Sequence, residues 1–109
     1  MSEYEIKYLK LENGREPVIE WFNKLDISSK KRVTQRLMRI QEGNFGDYKK
    51  IDNVLYEIRF KFASGYRIYF IIKDNSIIFL LTAGDKSSQE EDIKKAKEYI
   101  KLIEGILNA

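Results

Sequence analysis

Arg59, Lys61, Arg67 and Tyr69 fall on one parity of two consecutive strand-like runs, Leu55–Phe62 and Tyr66–Ile72. Guanidinium and ammonium groups aimed at one place stabilise the charge of a phosphate undergoing attack. A tyrosine among them offers a stacking platform for a base. The chain has no His and no Cys. That excludes a disulfide scaffold, a thiolate nucleophile, a Cys/His zinc site and any triad that needs imidazole. Arg, Lys, Tyr, Ser/Thr, carboxylates and backbone amides must do whatever chemistry there is. RNA cleavage is compatible with that set, because the 2′-hydroxyl of the RNA can serve as nucleophile. A binding module that never cleaves would use the same residues.

The geometry of that face follows from strand pairing. With Ala63-Ser64-Gly65 as a three-residue turn, Phe62 faces Tyr66, Lys61 faces Arg67, and Phe60 faces Ile68. Arg59 then faces Tyr69 and Ile58 faces Phe70. The apolar pairs share one side and the basic residues the other, as a period of two requires. Like charges directly opposite one another cost up to ~1 kcal/mol relative to favourable pairs. An anionic ligand accounts for that arrangement. With Ile72 opposite Ile77 across the next turn, Arg67 neighbours Thr82. Gly84-Asp85-Lys86 then enters near the same end of the face.

Two further constellations carry less. Gly84-Asp85-Lys86-Ser87-Ser88 lies between a strand and a helix, where anions are favoured, but it lacks the glycine spacing of a nucleotide-binding fingerprint. Glu90, Glu91 and Asp92 resemble a metal cluster, yet acidic residues favour helix N-termini for electrostatic reasons alone. No metal and no cofactor is expected.

These residues sit in a chain of 109 residues, which suits one domain over 1–109. The net charge of +3 is unevenly spread. Lys30–Lys73 holds 11 Lys/Arg and four Asp/Glu, whereas the rest holds nine and 13. A basic middle between acidic ends points to a local anion-binding surface, with Lys49 and Lys50 as further RNA contacts. The N-terminus is polar and acidic, unlike a signal peptide. The longest apolar runs are five residues, Ile68–Ile72 and Ile77–Leu81, against ~20 for a membrane helix. The expectation is a soluble cytoplasmic protein that engages no membrane.

Local patterns supply the elements. Tyr4, Ile6 and Tyr8 alternate with charged residues as in a strand. Pro17 opens a helix with Val18, Trp21, Phe22 and Leu25 on one stripe. Asp26–Ser29 supplies caps for a second helix, buried through Val33, Leu37 and Ile40 and ended by Gly43. Gly43–Asp52 reads as an ordered loop pinned by Phe45 and Tyr48. Three strands follow, the last (Ile77–Ala83) the most apolar and expected at the sheet centre. Ser88-Gln89-Glu90-Glu91 matches a capping box before a long C-terminal helix. The order βααβββα gives an α+β domain: an antiparallel sheet packed by an N-terminal helix pair and a C-terminal helix.

Four runs together resemble a known family. They are Arg39–Asp47, Leu55–Phe60, Gly65–Phe70 and Leu80–Gln89. In order and spacing they resemble toxins of the RelE/ParE superfamily, specifically the HigB-like addiction-module killer proteins. The resemblance spans Tyr4 to about Ile103. It implies a RelE-like fold with a twisted antiparallel sheet. It implies a type II toxin held inactive by a cognate HigA-like helix-turn-helix antitoxin, with DNA reached only through that complex. For RelE- and HigB-like members it implies cleavage of messenger RNA in the ribosomal A site. Arg67 then matches the arginine that contacts the scissile phosphate. Arg59 and Lys86 match basic positions of the active face, and Lys61 does so more weakly. Some relatives carry a C-terminal Tyr or His near the leaving group; here Asp92 stands near that place as a candidate for proton transfer. ParE-like members share the fold but inhibit DNA gyrase, and fold alone does not choose between the two activities.

Overall fold

The computed structural model describes the backbone of residues 3–107. The chain forms β1 (Glu5–Tyr8), α1 (Pro17–Asn23), α2 (Ile27–Gln41), β2 (Tyr48–Lys50), β3 (Tyr56–Arg59), β4 (Arg67–Lys73), β5 (Ile77–Gly84) and α3 (Gln89–Leu107). A single 3-10 turn, Lys86–Ser88, leads into α3. The strands make one sheet in the order β1-β5-β4-β3-β2.

Local chemistry explains the boundaries. Pro17 stands in the first turn of α1, where no hydrogen bond is lost. Asp26 caps α2 by accepting from the Ser29 N–H at 3.3 Å. Gly43, at φ +89°, takes the left-handed conformation that closes the helix. The capping box before α3 is Asp85 with Ser88, one turn earlier than the Ser88–Glu91 spacing suggested. The Ser88 hydroxyl is thereby turned toward Asp92, at 2.6 Å.

The sheet separates two apolar layers. On one face, Ile58, Ile68, Phe70, Ile78 and Leu80 pack with Val18 of α1 and Val33 and Ile40 of α2. On the other, Leu55, Tyr69 and Leu81 pack with Ala96, Ile100 and Ile103 of α3. Buried on both faces, β4 is the central strand. Among the described residues no helix is long and apolar enough to cross a membrane.

Four expectations need correction. The sheet is mixed, not wholly antiparallel: β1 runs parallel to β5, with Ile6 beside Ile78. Periodicity within a short strand carries no information about a partner some 70 residues away. The run after Gly43 contains a strand, because Tyr48–Lys50 pairs with Tyr56–Ile58. All three of its residues are exposed, and its lysines suit an uncovered sheet edge. Arg36 holds the approach to this strand through the carbonyls of Phe45 (3.0 Å), Asp47 (2.6 Å) and Arg59 (2.9 Å). Third, β5 lies next to the centre, between β1 and β4.

The fourth correction concerns the β3–β4 register. Ile58 faces Ile68 and Arg59 faces Arg67. The Phe60 N–H reaches the Tyr66 carbonyl at 2.9 Å, so the connection is Lys61–Gly65, longer than three residues. The register differs from expectation by two positions. An even shift leaves every residue on its own face, so the basic side survives while its pairs change.

Candidate anion-binding site

The site lies on the α3 face of the sheet, at the end that α3 leaves open. Arg59 of β3 and Arg67 of β4 are directly opposite. Two guanidinium groups so placed repel. Between them stands Glu57, fully buried at 0% exposure. Its Oε1 accepts from Arg67 Nε at 3.4 Å and forms an ion pair with Arg59 Nε at 3.3 Å. Its Oε2 accepts from Gln89 Nε2, at the start of α3, at 3.0 Å. One carboxylate therefore joins two strands and a helix. Arg67 Nη1 also donates to the Gly65 carbonyl at 3.3 Å.

The two arginines differ in access. The Arg59 side chain is 40% exposed and that of Arg67 9%. Lys86 is exposed and completes the group. Its N–H meets the Ser64 carbonyl at 3.3 Å, which ties the turn before α3 to the β3–β4 connection. A Cβ built on Gly65 would lie 3.5 Å from Lys86 Cβ and 3.8 Å from Arg67 Nη1. Lys86 and Arg67 thus flank the same glycine. Gly65 itself adopts φ +71°, a conformation that suits glycine. Two guanidinium groups share one carboxylate, and the exposed Lys86 lies beside Arg67 at Gly65, so the group carries a net positive charge. Such a centre binds an anion by aimed charge and forked N–H donors.

The remaining candidates fall elsewhere. Lys61 is exposed in the connection and lines a separate recess of about 260 Å³ with Arg32, Arg36 and Arg39 of α2. Lys49 and Lys50 are exposed on the edge strand β2. Tyr69 is fully buried beneath α3 and presents no ring to a base, which corrects its role as a stacking platform. Among the described residues its hydroxyl has no hydrogen-bond partner. Burial, and then the carboxylates of Glu57 and Asp92, push its phenol well above the ordinary range. It stays protonated and is no base.

A bulge moves β5 relative to expectation. Phe70 pairs with Leu80 but Tyr69 with Thr82, so Arg67 stands opposite Gly84 and not beside Thr82. Gly84 packs directly beneath Asp92 and Ser88, where a Cβ would collide with both side chains. Asp92 is buried, and burial raises its carboxyl above the ordinary range despite the hydrogen bond from Ser88. It stands across Gly84 from Arg67, at the edge of the cation group.

Glu57 is the component that the basic pattern concealed. The signal was present: a period of two places Glu57 with Arg59 on one strand face.

The family model of the phage-derived Gp49-like proteins (DUF891) matches residues 20–105, which include all of the site. An uncharacterized protein of Haemophilus influenzae is 40% identical over 78 residues, covering 71% of this chain and 79% of its own. The chain belongs to the Gp49-like family, a toxin-like family of the RelE/HigB type.

Proposed function

We propose that the protein is the toxin of a type II toxin–antitoxin pair and acts as a ribosome-dependent endonuclease on messenger RNA. A cognate HigA-like helix-turn-helix antitoxin holds it inactive, and DNA is met only through that complex. The observation that carries this reading is the pairing of Arg59 and Arg67 on the buried Glu57, with Lys86 beside Arg67 at Gly65.

The chemistry assigned to the group is transesterification. The RNA 2′-oxygen attacks the adjacent phosphorus, and the bond from phosphorus to the 5′-oxygen breaks. A 2′,3′-cyclic phosphate and a 5′-hydroxyl result. The 2′-hydroxyl loses a proton and the leaving 5′-oxygen gains one. Arg67 and Arg59 stabilise the added negative charge of the phosphorane. Arginine stays charged throughout, so proton exchange falls to Lys86, to Asp92 or to groups of the ribosome. With no histidine in the chain, the ribosome's help in orienting the RNA carries more of the rate.

Induction without antitoxin tests the reading. Growth arrest and new mRNA 5′ ends on ribosomes are expected, and both are lost in Arg67→Ala. Arg59→Ala and Lys86→Ala alter exposed side chains and guard against misfolding as the cause. Unchanged arrest in all three variants would overturn the assignment. Inhibited supercoiling by pure protein, with ribosome-bound mRNA intact, would give the toxin a gyrase target instead.

A further inference from the structure

A second cleft opens between α1 and α3 beside β5, with a volume of about 280 Å³. Thr82 and Asp92 line it, at 6% and 8% exposure. The bulge in β5 explains Thr82: an extra residue there turns it, like Leu81, toward α3. Among the described residues no protein group hydrogen-bonds the Thr82 hydroxyl. Among the described residues Asp92 accepts only from Ser88, on Oδ2, which leaves Oδ1 without a donor. Two nearly buried acceptors therefore line a space that the protein leaves open. Trp21 of α1 and Tyr99 of α3 contribute aromatic walls; the exposed Lys24 and Lys95 also line the cleft, beside Arg15 and Glu20, which pair with each other at 2.8 Å.

The occupant must satisfy all three features. Ligand cavities run from about 300 Å³ upward, so this one suits a single flat ring system. The rings call for an aromatic ligand, the acceptors for N–H donors, and the lysines for a negative tail. A nucleotide has all of these. Among the four bases, guanine alone presents adjacent N1–H and N2–H donors on its Watson–Crick edge. A carboxylate with a neighbouring hydroxyl matches that pair.

Position favours a nucleotide of the same RNA. Asp92 packs onto Gly84, and Gly84 is the cross-strand partner of Arg67. The Asp92 wall of the cleft thus sits over the strand position directly opposite the phosphate-binding arginine. We propose that the α1–α3 cleft is a base-binding subsite selecting guanine next to the phosphate held at Arg67. This rests on the RNA reading above. It also makes Asp92 an acceptor for the base, not a proton carrier.

Trp21 is the only tryptophan, so its fluorescence reports the cleft without any cleavage. The four nucleoside 5′-monophosphates are titrated into the full-length protein. Saturable quenching by GMP is expected, with each of the others roughly 10-fold weaker, within the range for a bidentate edge contact. Asp92→Asn should bring GMP to parity with the others, and Thr82→Val should weaken GMP with the circular dichroism spectrum unchanged. Arg67→Ala should keep the guanine preference. Equal quenching by all four nucleotides would overturn the subsite. So would a GMP response untouched by both cleft substitutions. Loss of cleavage at every sequence in Asp92→Asn, with GMP preference intact, would return Asp92 to proton transfer and also end the proposal. Because binding is read by itself, uncut mRNA on ribosomes would fail the nuclease reading without changing this result.

Discussion

Replacing Glu57 by Gln removes one charge and almost no volume. The side chain is fully buried and holds Arg67 at 3.4 Å and Arg59 at 3.3 Å. Breaking one partner of a buried ion pair costs about 3–5 kcal/mol, because the other charge stays buried and uncompensated. Arg67, 9% exposed, is in that position; Arg59, 40% exposed, turns to water. The expected loss therefore sits near the lower end, about 3 kcal/mol. The amide adds a second penalty. One of its ends is an NH2 group, which must either face the Arg67 donor or make the Gln89 amide turn its oxygen inward. For a domain of this size 1 kcal/mol moves Tm by about 4–8 °C, so Tm should fall by roughly 12–24 °C. Urea unfolding followed by circular dichroism measures the change directly. A double-mutant cycle isolates the pair. Glu57→Leu combined with Arg67→Met should be more stable than either single variant, since neither charge is then left alone. A loss below about 1 kcal/mol in Glu57→Gln, with no coupling in the cycle, would refute the counter-ion role.

Tyr69→Phe removes a buried hydroxyl that has no partner. The variant should be about 1 kcal/mol more stable, read as a higher urea midpoint; a clear loss would mean that the hydroxyl is satisfied. Gly84→Ala places a methyl against Asp92 and Ser88. It should cost about 1–3 kcal/mol by overpacking and abolish any guanine preference of the cleft. Asp92 has a raised carboxyl pKa in the fold, with burial as the main cause. Such a group stabilises the fold below its unfolded pKa, and that stability is lost as pH rises through the folded value. Asp92→Asn should thus match or exceed the parent's stability at neutral pH. The advantage should shrink as pH falls into the carboxylate range; a growing advantage in acid would contradict the burial argument.

The sequence made the helices legible because their signals are local. Pro17, Asp26 and Gly43 act within one turn of the residues that they cap or end. The two faces of β3 and β4 were legible for a related reason: alternation survives any even change of register. What escaped depends on distance. The parallel pairing of β1 with β5 joins segments some 70 residues apart. Edge strand β2 is three residues long and held from outside by Arg36. The β5 bulge arises from fitting two strands together, and it decides whether Thr82 or Gly84 meets Arg67. Of the site, the cations were visible as charge, whereas the burial of Tyr69 and the function of Glu57 follow from where α3 lies. An amphipathic pattern says that α3 covers something. It does not say which residues, or where the cover stops.

That stopping point gives the site its character. A buried ionic cluster is weak evidence for stability, since well-packed apolar residues often serve the fold as well or better. The cluster here nevertheless ties β3, β4 and the first residue of α3 to one carboxylate. Its effect on binding is more favourable. Arg67 is held at Nε by Glu57 and at Nη1 by the Gly65 carbonyl before any ligand arrives. A free arginine gives up about 2 kcal/mol of rotamer entropy when fixed. Here that ordering occurs on folding, so an arriving phosphate meets a guanidinium already in place. Five N–H groups are available on the fork, and the two anchors leave others for an anion. Glu57 also tempers the repulsion that would otherwise drive Arg59 and Arg67 apart in the free protein. The carboxylate weakens the local field, but it keeps the cations close enough to act on one phosphate together. On this argument the paired Glu57→Leu, Arg67→Met protein gains stability over each single variant and still loses the anion site, which separates the demands of the fold from those of the chemistry.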